Sequence, residues 1–188
     1  SRDKPFLSRL TARGWAGWAR WFRAIPCALA EHWVNAMTAF QRITTVYCDE
    51  QDRLRLSGEQ AQGQVIVLWM TQRLTNRLVA HLCEVAGTGA ADSLASQLQR
   101  SFELQVAAAS LVEQPPVQPT CDAAEALVYS VDVTSSQSGA RLVFKGSSRE
   151  VLAELSLPHV PLQQWLGIVH GQYRSAQWPM AVWPAWVE

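Results

Sequence analysis

Residues 2–25 constrain this chain more than any other segment. Placed around a helix axis at about 100° per residue, Arg2, Arg9, Arg13, Arg20 and Arg23 fall in one basic stripe. Leu7, Leu10, Trp15, Trp18, Trp21, Phe22 and Ile25 fall on the opposite side. A helix so divided needs two environments: the aromatic face must be buried against something, and the arginine face must stay wet or meet anions. Pro5 sits near its start, where a missing N–H costs least, and Pro26 ends or kinks it. A second helix is expected from about Cys27 to Phe40, with Leu29, Trp33, Met37 and Phe40 on one stripe. Gly14 and Gly17 edge the apolar side of the first helix, a sign of close backbone approach that favours protein over lipid against the tryptophans.

The net charge of zero over 188 residues conceals an asymmetry. Residues 1–25 hold six Lys/Arg and Asp3 alone, a net of +5, while the remainder holds ten Lys/Arg and fifteen Asp/Glu, a net of −5. A basic arm on an acidic body folds back on it or meets an anionic partner. The acidic body counts against nucleic acid. Cys27, Cys48, Cys83 and Cys121 are far apart in sequence, without a CxxC pair, and read as reduced thiols in a cytoplasmic setting. No apolar run approaches the ~20 residues that span a bilayer; the longest, Val65–Met70, is strand-sized. The arm has the arginine content of a transit peptide but not the uninterrupted apolar stretch of a secretion signal. The chain opens on Ser1, so a translational start further upstream is expected.

Beyond residue 41 the texture changes. Arg42–Cys48 is rich in β-branched residues, and Arg53–Ser57 alternates as a half-buried strand does, with a turn at Asp49–Asp52. Gln64–Met70, apolar on both faces, is expected to be a central strand. Thr71 caps a helix on which Leu74, Leu78 and Leu82 stack, with Arg73, Arg77 and His81 beside them, until Gly87–Gly89 breaks it. A further helix is expected over Ala91–Leu111, with Leu94, Leu98, Phe102 (or Leu104) and Val106 inward. Pro115, Pro116 and Pro119 make a loop. Strands are expected over Ala126–Val133, Ala140–Lys145 and Glu150–Leu157, then a helix with Leu162, Trp165, Leu166 and Val169 on one face. The tail Trp178–Trp186 is expected to be extended and pinned across the body by its tryptophans.

The fold expected is therefore α+β: an antiparallel β-sheet or sandwich of about six strands with an inserted helix pair, preceded by an N-terminal helical hairpin. The chain divides into an amphipathic arm (1–40), an α+β body (41–175) and a Trp/Pro-rich tail (176–188). Arg53–Gly58 and Arg141–Gly146 echo each other, as two hairpins obeying the same rules.

Asp52-Arg-Leu-Arg-Leu-Ser-Gly58 followed by Val67-Leu-Trp-Met-Thr-Gln-Arg-Leu74 resembles a motif of small uncharacterised proteobacterial proteins, over about Phe40–Val85. That resemblance implies no activity. The order of strands, inserted helix pair, strands and helix is similar in topology to the head domains of end-joining scaffold proteins and centriolar cartwheel proteins, which assemble complexes and do no chemistry. No sequence motif is shared with those heads, and their coiled-coil stalk is missing.

No GxSxG, HExxH, P-loop or GxGxxG pattern occurs. Of His32, His81, His159 and His170, the first two fall on expected helices in surface or capping positions. Asp49, Glu50 and Asp52 with Glu59 do not match a calcium loop. His81 and Cys83 point about 200° apart on a helix, so they cannot meet. Arg73 and Arg77 share one face with Thr71 and Asn76 near, and suit phosphate or a partner's carboxylates. Seven of nine tryptophans lie near the two ends, and Trp and Arg are the residue types most enriched at binding hot spots.

These features point to a non-enzymatic protein–protein interaction or assembly factor. Its partner is another protein or a second copy, met through Arg9, Arg13, Trp15, Trp18, Arg20, Trp21, Arg73, Arg77, Trp183 and Trp186. No cofactor or metal is expected. The alternatives are a peripheral membrane protein that lays the first helix on an anionic surface, and a single-stranded nucleic-acid binder.

Overall fold

A computed structural model describes residues 38–87, 93–136 and 138–187. The expected helical hairpin lies outside them, apart from its last residues. The fold is α+β, but its strands form two sheets, of four and three strands, rather than one six-stranded sandwich.

The first sheet opens with the meander β1 (Phe40–Cys48), β2 (Arg53–Gln60) and β3 (Val65–Thr71). β2 sets its inner face. Leu54 and Leu56 are fully buried, and they lie opposite Met70 and Leu68 of β3, which are fully buried too. Arg53 and Arg55 alternate with them, as a pleated strand with one dry face requires. Phe40, expected to end a helix, instead begins β1. It pairs with Gln60, and its ring covers Gly58 so closely that a Cβ there would overlap it. Packing on β2 overrides the helical spacing of the residues before it.

Thr71 ends β3 and starts α1 (Gln72–Gly87), its hydroxyl accepting the Leu74 N–H at 3.3 Å. Leu78, Val79, Leu82 and Cys83 face the core. The second helix of the insert, α2 (Leu94–Ala109), is capped by Ser93, whose hydroxyl accepts the Ser96 N–H. Its outer face is not the one expected, as described below.

The run read as one strand over Ala126–Val133 is two. β4 (Ala124–Leu127) pairs with β3, and does so in parallel, so the first sheet is not purely antiparallel. At Val128–Tyr129 the chain changes sheets: the Val128 N–H donates to Trp69 O at 2.9 Å, and the Tyr129 N–H donates to Lys145 O at 2.9 Å. β5 (Ser130–Ser136), β6 (Gly139–Lys145) and β7 (Val151–Pro158) then form an antiparallel meander. An isolated bridge from Ala39 to Glu154 joins the sheets a second time, beside β1 and β7. The echo between Arg53–Gly58 and Arg141–Gly146 falls on β2 and β6, the middle strands of the two meanders.

The last helix, α3 (His159–Ser175), touches β1 of one sheet and β6 and β7 of the other, together with α1 and α2. Leu162, Trp165, Leu166 and Val169 are buried on one face, as their spacing predicts. The Trp165 indole N–H, buried, donates to Thr45 Oγ1 at 3.0 Å. The tail is pinned by tryptophans, but it is not extended: it makes two short 3-10 turns, Met180–Val182 and Ala185–Val187. These turns let Trp178, Trp183 and Trp186 all enter the core cluster. Trp178 donates its indole N–H to Asp52 Oδ1 at 2.9 Å, and the Tyr47 hydroxyl donates to the same oxygen at 2.9 Å. Among the described residues, no helix is long and apolar enough to cross a membrane.

Gly58→Ala is expected to destabilise the body by about 1–3 kcal/mol, because the new methyl meets the Phe40 ring; chemical denaturation measures it. Asp52 supplies a second prediction. The hydrogen bonds from Trp178 and Tyr47 hold its carboxyl below the ordinary carboxylate range. A depressed folded-state pKa means a stabilising contribution that is complete above the unfolded value and lost as pH falls through the folded one. Melting temperatures of wild type and Asp52→Asn should therefore converge as the pH is lowered below about 4. Asn tolerates the left-handed backbone of this position, where φ is 47°.

Candidate partner-binding surfaces

Three surfaces of the described residues stand out, one of which carries the arginine pair that the sequence singles out. On α1, the core-facing residues leave Arg73, Arg77 and His81 exposed. Among the described residues neither arginine has an ion pair or hydrogen bond. The His81 ring lies 4.0 Å from Glu84, itself exposed. Asn76, expected beside this pair, is turned inward and accepts the Tyr173 hydroxyl at 2.6 Å. Two adjoining grooves run along this face. One, of about 320 Å³, is lined by Arg73, Leu74, Arg77, Leu127, Val128 and Tyr129 among others. The next, of about 350 Å³, is lined by Leu74, Arg77, Leu78 and His81 on one wall and Tyr129–Val131 and Val133 on the other. Among the described residues no carboxylate lines either groove.

The sequence gives Tyr129 no role, because alternation with Val131 and Val133 would point it inward. The change of sheets beside it leaves it 63% exposed, on the rim of both grooves.

On α2 the expected orientation is overturned. Leu94, Leu98, Phe102 (or Leu104) and Val106 were expected inward; Leu94, Leu98, Phe102 and Val106 are 72%, 63%, 66% and 50% exposed, and Leu104 alone of the set packs against the core. The less exposed positions are Ser96, Gln97, Arg100, Ser101, Glu103, Leu104 and Ala107, of which Ala107 alone is buried. Small and polar side chains allow the helix to lie close to α3, where Gln164 donates its amide to Ala107 O at 2.9 Å and to Ser110 Oγ at 3.3 Å. The ridge of large apolar side chains is left outward, and Leu111 and Val112 extend it, 49% and 77% exposed.

A third groove, of about 490 Å³, lies between the start of β1, the end of β7, the segment after α2 and α3. Its walls include Phe40, Ile43, Val112, Leu157, Trp165 and Ile168.

Other expected site residues are accounted for differently. Trp183 and Trp186 are each only 7% exposed. The ring of Trp183 meets His170 and Tyr173 edge-on, at 5.0 and 5.3 Å between centroids, so both side chains are packed within this chain rather than presented at its surface. Arg9, Arg13, Trp15, Trp18, Arg20 and Trp21 lie outside the described residues. Of the acidic cluster, Asp52 is taken by Tyr47 and Trp178, and Glu59 accepts from Arg42 at 2.7 Å. Among the described residues no group of three His, Cys, Asp or Glu side chains is placed to hold a metal ion. His81 is exposed while Cys83 is buried, as their angular separation requires.

Comparison with protein families, curated proteins and solved structures returns no match to this chain.

Burial pushes the Cys83 thiol up to about 12. Since the thiolate is the nucleophile, iodoacetamide at mildly alkaline pH should alkylate exposed Cys121 readily and leave Cys83 unmodified. Peptide mass spectrometry of the native protein checks this; labelling of Cys83 at the rate of Cys121 would contradict the packing of α1.

Proposed function

We propose that this chain is a non-enzymatic assembly protein that pairs with a second copy through the outward ridge of α2. The observation that carries the reading is the inversion of that helix: Ala107 and Leu104 pack towards its own body with mostly polar neighbours, while Leu94, Leu98, Phe102 and Val106 stay half or more exposed. A contiguous exposed apolar strip of this kind marks an interaction site rather than ordinary surface. Leu94, Leu98, Phe102 and Val106 recur every fourth residue, so they form a single i, i+4 ridge. Two such ridges interdigitate at a crossing angle of about −50°. An isologous pairing places Leu98 beside Phe102 of the second copy, and Leu94 beside its Val106, with an aromatic anchor on each side of the dyad. The element order, three strands, a helix pair, four strands and a helix, supports an assembly role by analogy with scaffold head domains, at the level of fold alone. The Arg/Trp segment of residues 2–25 is the proposed second docking element of the same assembly.

Light scattering coupled to size exclusion, on the full chain at tens of micromolar, tests the pairing. Wild type should run as a dimer and the Leu98→Glu/Phe102→Glu double variant as a monomer. Losing each anchor should weaken association by about 1–2 kcal/mol. Both side chains are exposed, so circular dichroism and the melting temperature of the variant should match wild type. A monomeric wild type overturns the pairing and assigns the ridge to residues 1–37 or to a foreign partner; a dimer that survives both substitutions overturns it as well.

A further inference from the structure

The outer face of the first sheet is divided in two. Register sets its cross-strand rows: Thr44 with Ser57 and Val67, Val46 with Arg55 and Trp69, Cys48 with Arg53 and Thr71. Alternate residues of a strand share a face, so all three rows lie away from Leu54, Leu56, Leu68 and Met70. The first row is covered. Ser57 and Val67 are buried, and the Val117 N–H, from the proline-rich loop, donates to Thr44 Oγ1 at 2.8 Å. The other two rows are not: Arg53, Arg55, Trp69 and Thr71 each keep part of their surface in solvent.

β4 and α1 extend these open rows. Leu127 pairs with Trp69 and so stands on the same face, and Tyr129 follows two residues on, well exposed. Thr71 and Leu127 are also walls of the groove that holds Arg73, Arg77 and Tyr129. The sheet face and the first turns of α1 therefore make one continuous strip. Its arginines lack acidic partners. Among the described residues Arg53 meets only the Gln51 amide oxygen, at 3.4 Å, while Arg55, Arg73 and Arg77 have no side-chain hydrogen bond or ion pair. Arg42, Arg141 and Lys145, elsewhere on the body, are each paired with a carboxylate. The Trp69 indole N–H donates to Glu125 Oε2 at 3.0 Å, which fixes the ring among these cations.

We propose that this strip binds single-stranded nucleic acid, its bases stacked on Trp69 and Tyr129 and its phosphates on Arg55, Arg73 and Arg77. Unpaired cations select an anion, and two aromatic rings set among them select one that carries flat groups along its length. An acidic peptide would use the arginines and leave the rings idle. The acidity of the chain beyond residue 25 does not decide the matter, because screening confines exposed charges to about 8 Å at physiological salt. Asp49 and Glu50, in the turn that precedes Arg53, weaken the contribution of that arginine, so the other three carry most of the phosphate contact.

The probes are fluorescein-labelled oligothymidine and oligouridine of about ten nucleotides, titrated with the full chain and followed by anisotropy. Both should bind, and log K should fall by about 0.7 per log unit of salt for each phosphate neutralised. Tyr129→Ala and Trp69→Ala should each weaken binding about tenfold, and Arg73→Glu/Arg77→Glu at least as much. Leu98→Glu/Phe102→Glu should change nothing, since the strip is separate from the α2 ridge. Tyr129, Arg73 and Arg77 are exposed, so their variants should melt as wild type does and remain informative if Trp69→Ala fails to fold. Cross-linking to an oligonucleotide containing 5-iodouridine, mapped by peptide mass spectrometry, should mark Trp69 or Tyr129. Cross-links confined to residues 1–37 would overturn the proposal, as would affinity indifferent to Tyr129 and the arginine pair, or no binding. Equal competition by polyglutamate of the same charge would overturn it too, by reducing the strip to a patch for acidic proteins.

Discussion

The side chain of Tyr173 is completely buried, and much of the body is arranged around keeping it satisfied. Its hydroxyl donates to Asn76 Oδ1 of α1 at 2.6 Å. Burial raises its pKa, so it remains a protonated donor. Left unpaired at this depth, such a group would cost about 1–3 kcal/mol. The ring is met edge-on by Trp178 at 5.1 Å and Trp183 at 5.3 Å, the geometry that aromatic quadrupoles favour. One residue of α3 thereby ties α1 and the tail together. Trp165, two turns earlier, ties the same helix to β1 through Thr45. Both sheets, both inserted helices and the tail are thus fixed to one helix.

Where a segment had one dry face and one wet face, or two dry faces, its sequence was enough to place it. The alternation of Arg53–Ser57, the apolar run of β3, the leucine stack of α1 and the Leu162–Val169 face of α3 all settle where periodicity puts them. The failures share a cause. Periodicity identifies two faces without saying which is inside, and on α2 the larger apolar face is outside. A single alternating run cannot announce that its two halves pair in different sheets, as Ala124–Ser136 does on either side of Val128–Tyr129. Parallel pairing of β3 with β4 is equally silent, because it joins segments that local turn chemistry does not connect.

The candidate surfaces show the same division. Arg73 and Arg77 stand out by their spacing, and the structure adds the neighbours that spacing could not, Leu127–Val131 across the grooves from them. The tryptophans of the tail were noticed for their number and position. Their rings serve the core instead, since a proline-rich segment without regular hydrogen bonding needs large buried areas to hold it down. What the described surface leaves unmatched is therefore a surplus of apolar area on α2 and an unbalanced pair of charges on α1, not rare residue types.

The crossing at Val128–Tyr129 also bears on how the chain reaches this state. β4 can join β3 only after α1, α2 and the proline-rich loop have been gathered into a closed excursion, whereas β5 and β6 form a local hairpin that can take its register first. Contacts so distant along the chain carry a large entropic cost before they return any stabilisation. The seam between the sheets is thus a late event in assembly. Until it forms, the edge of β3 that β4 closes stands open while the apolar ridge of α2 is exposed, which makes the order of folding and association matter to the fate of newly made chains.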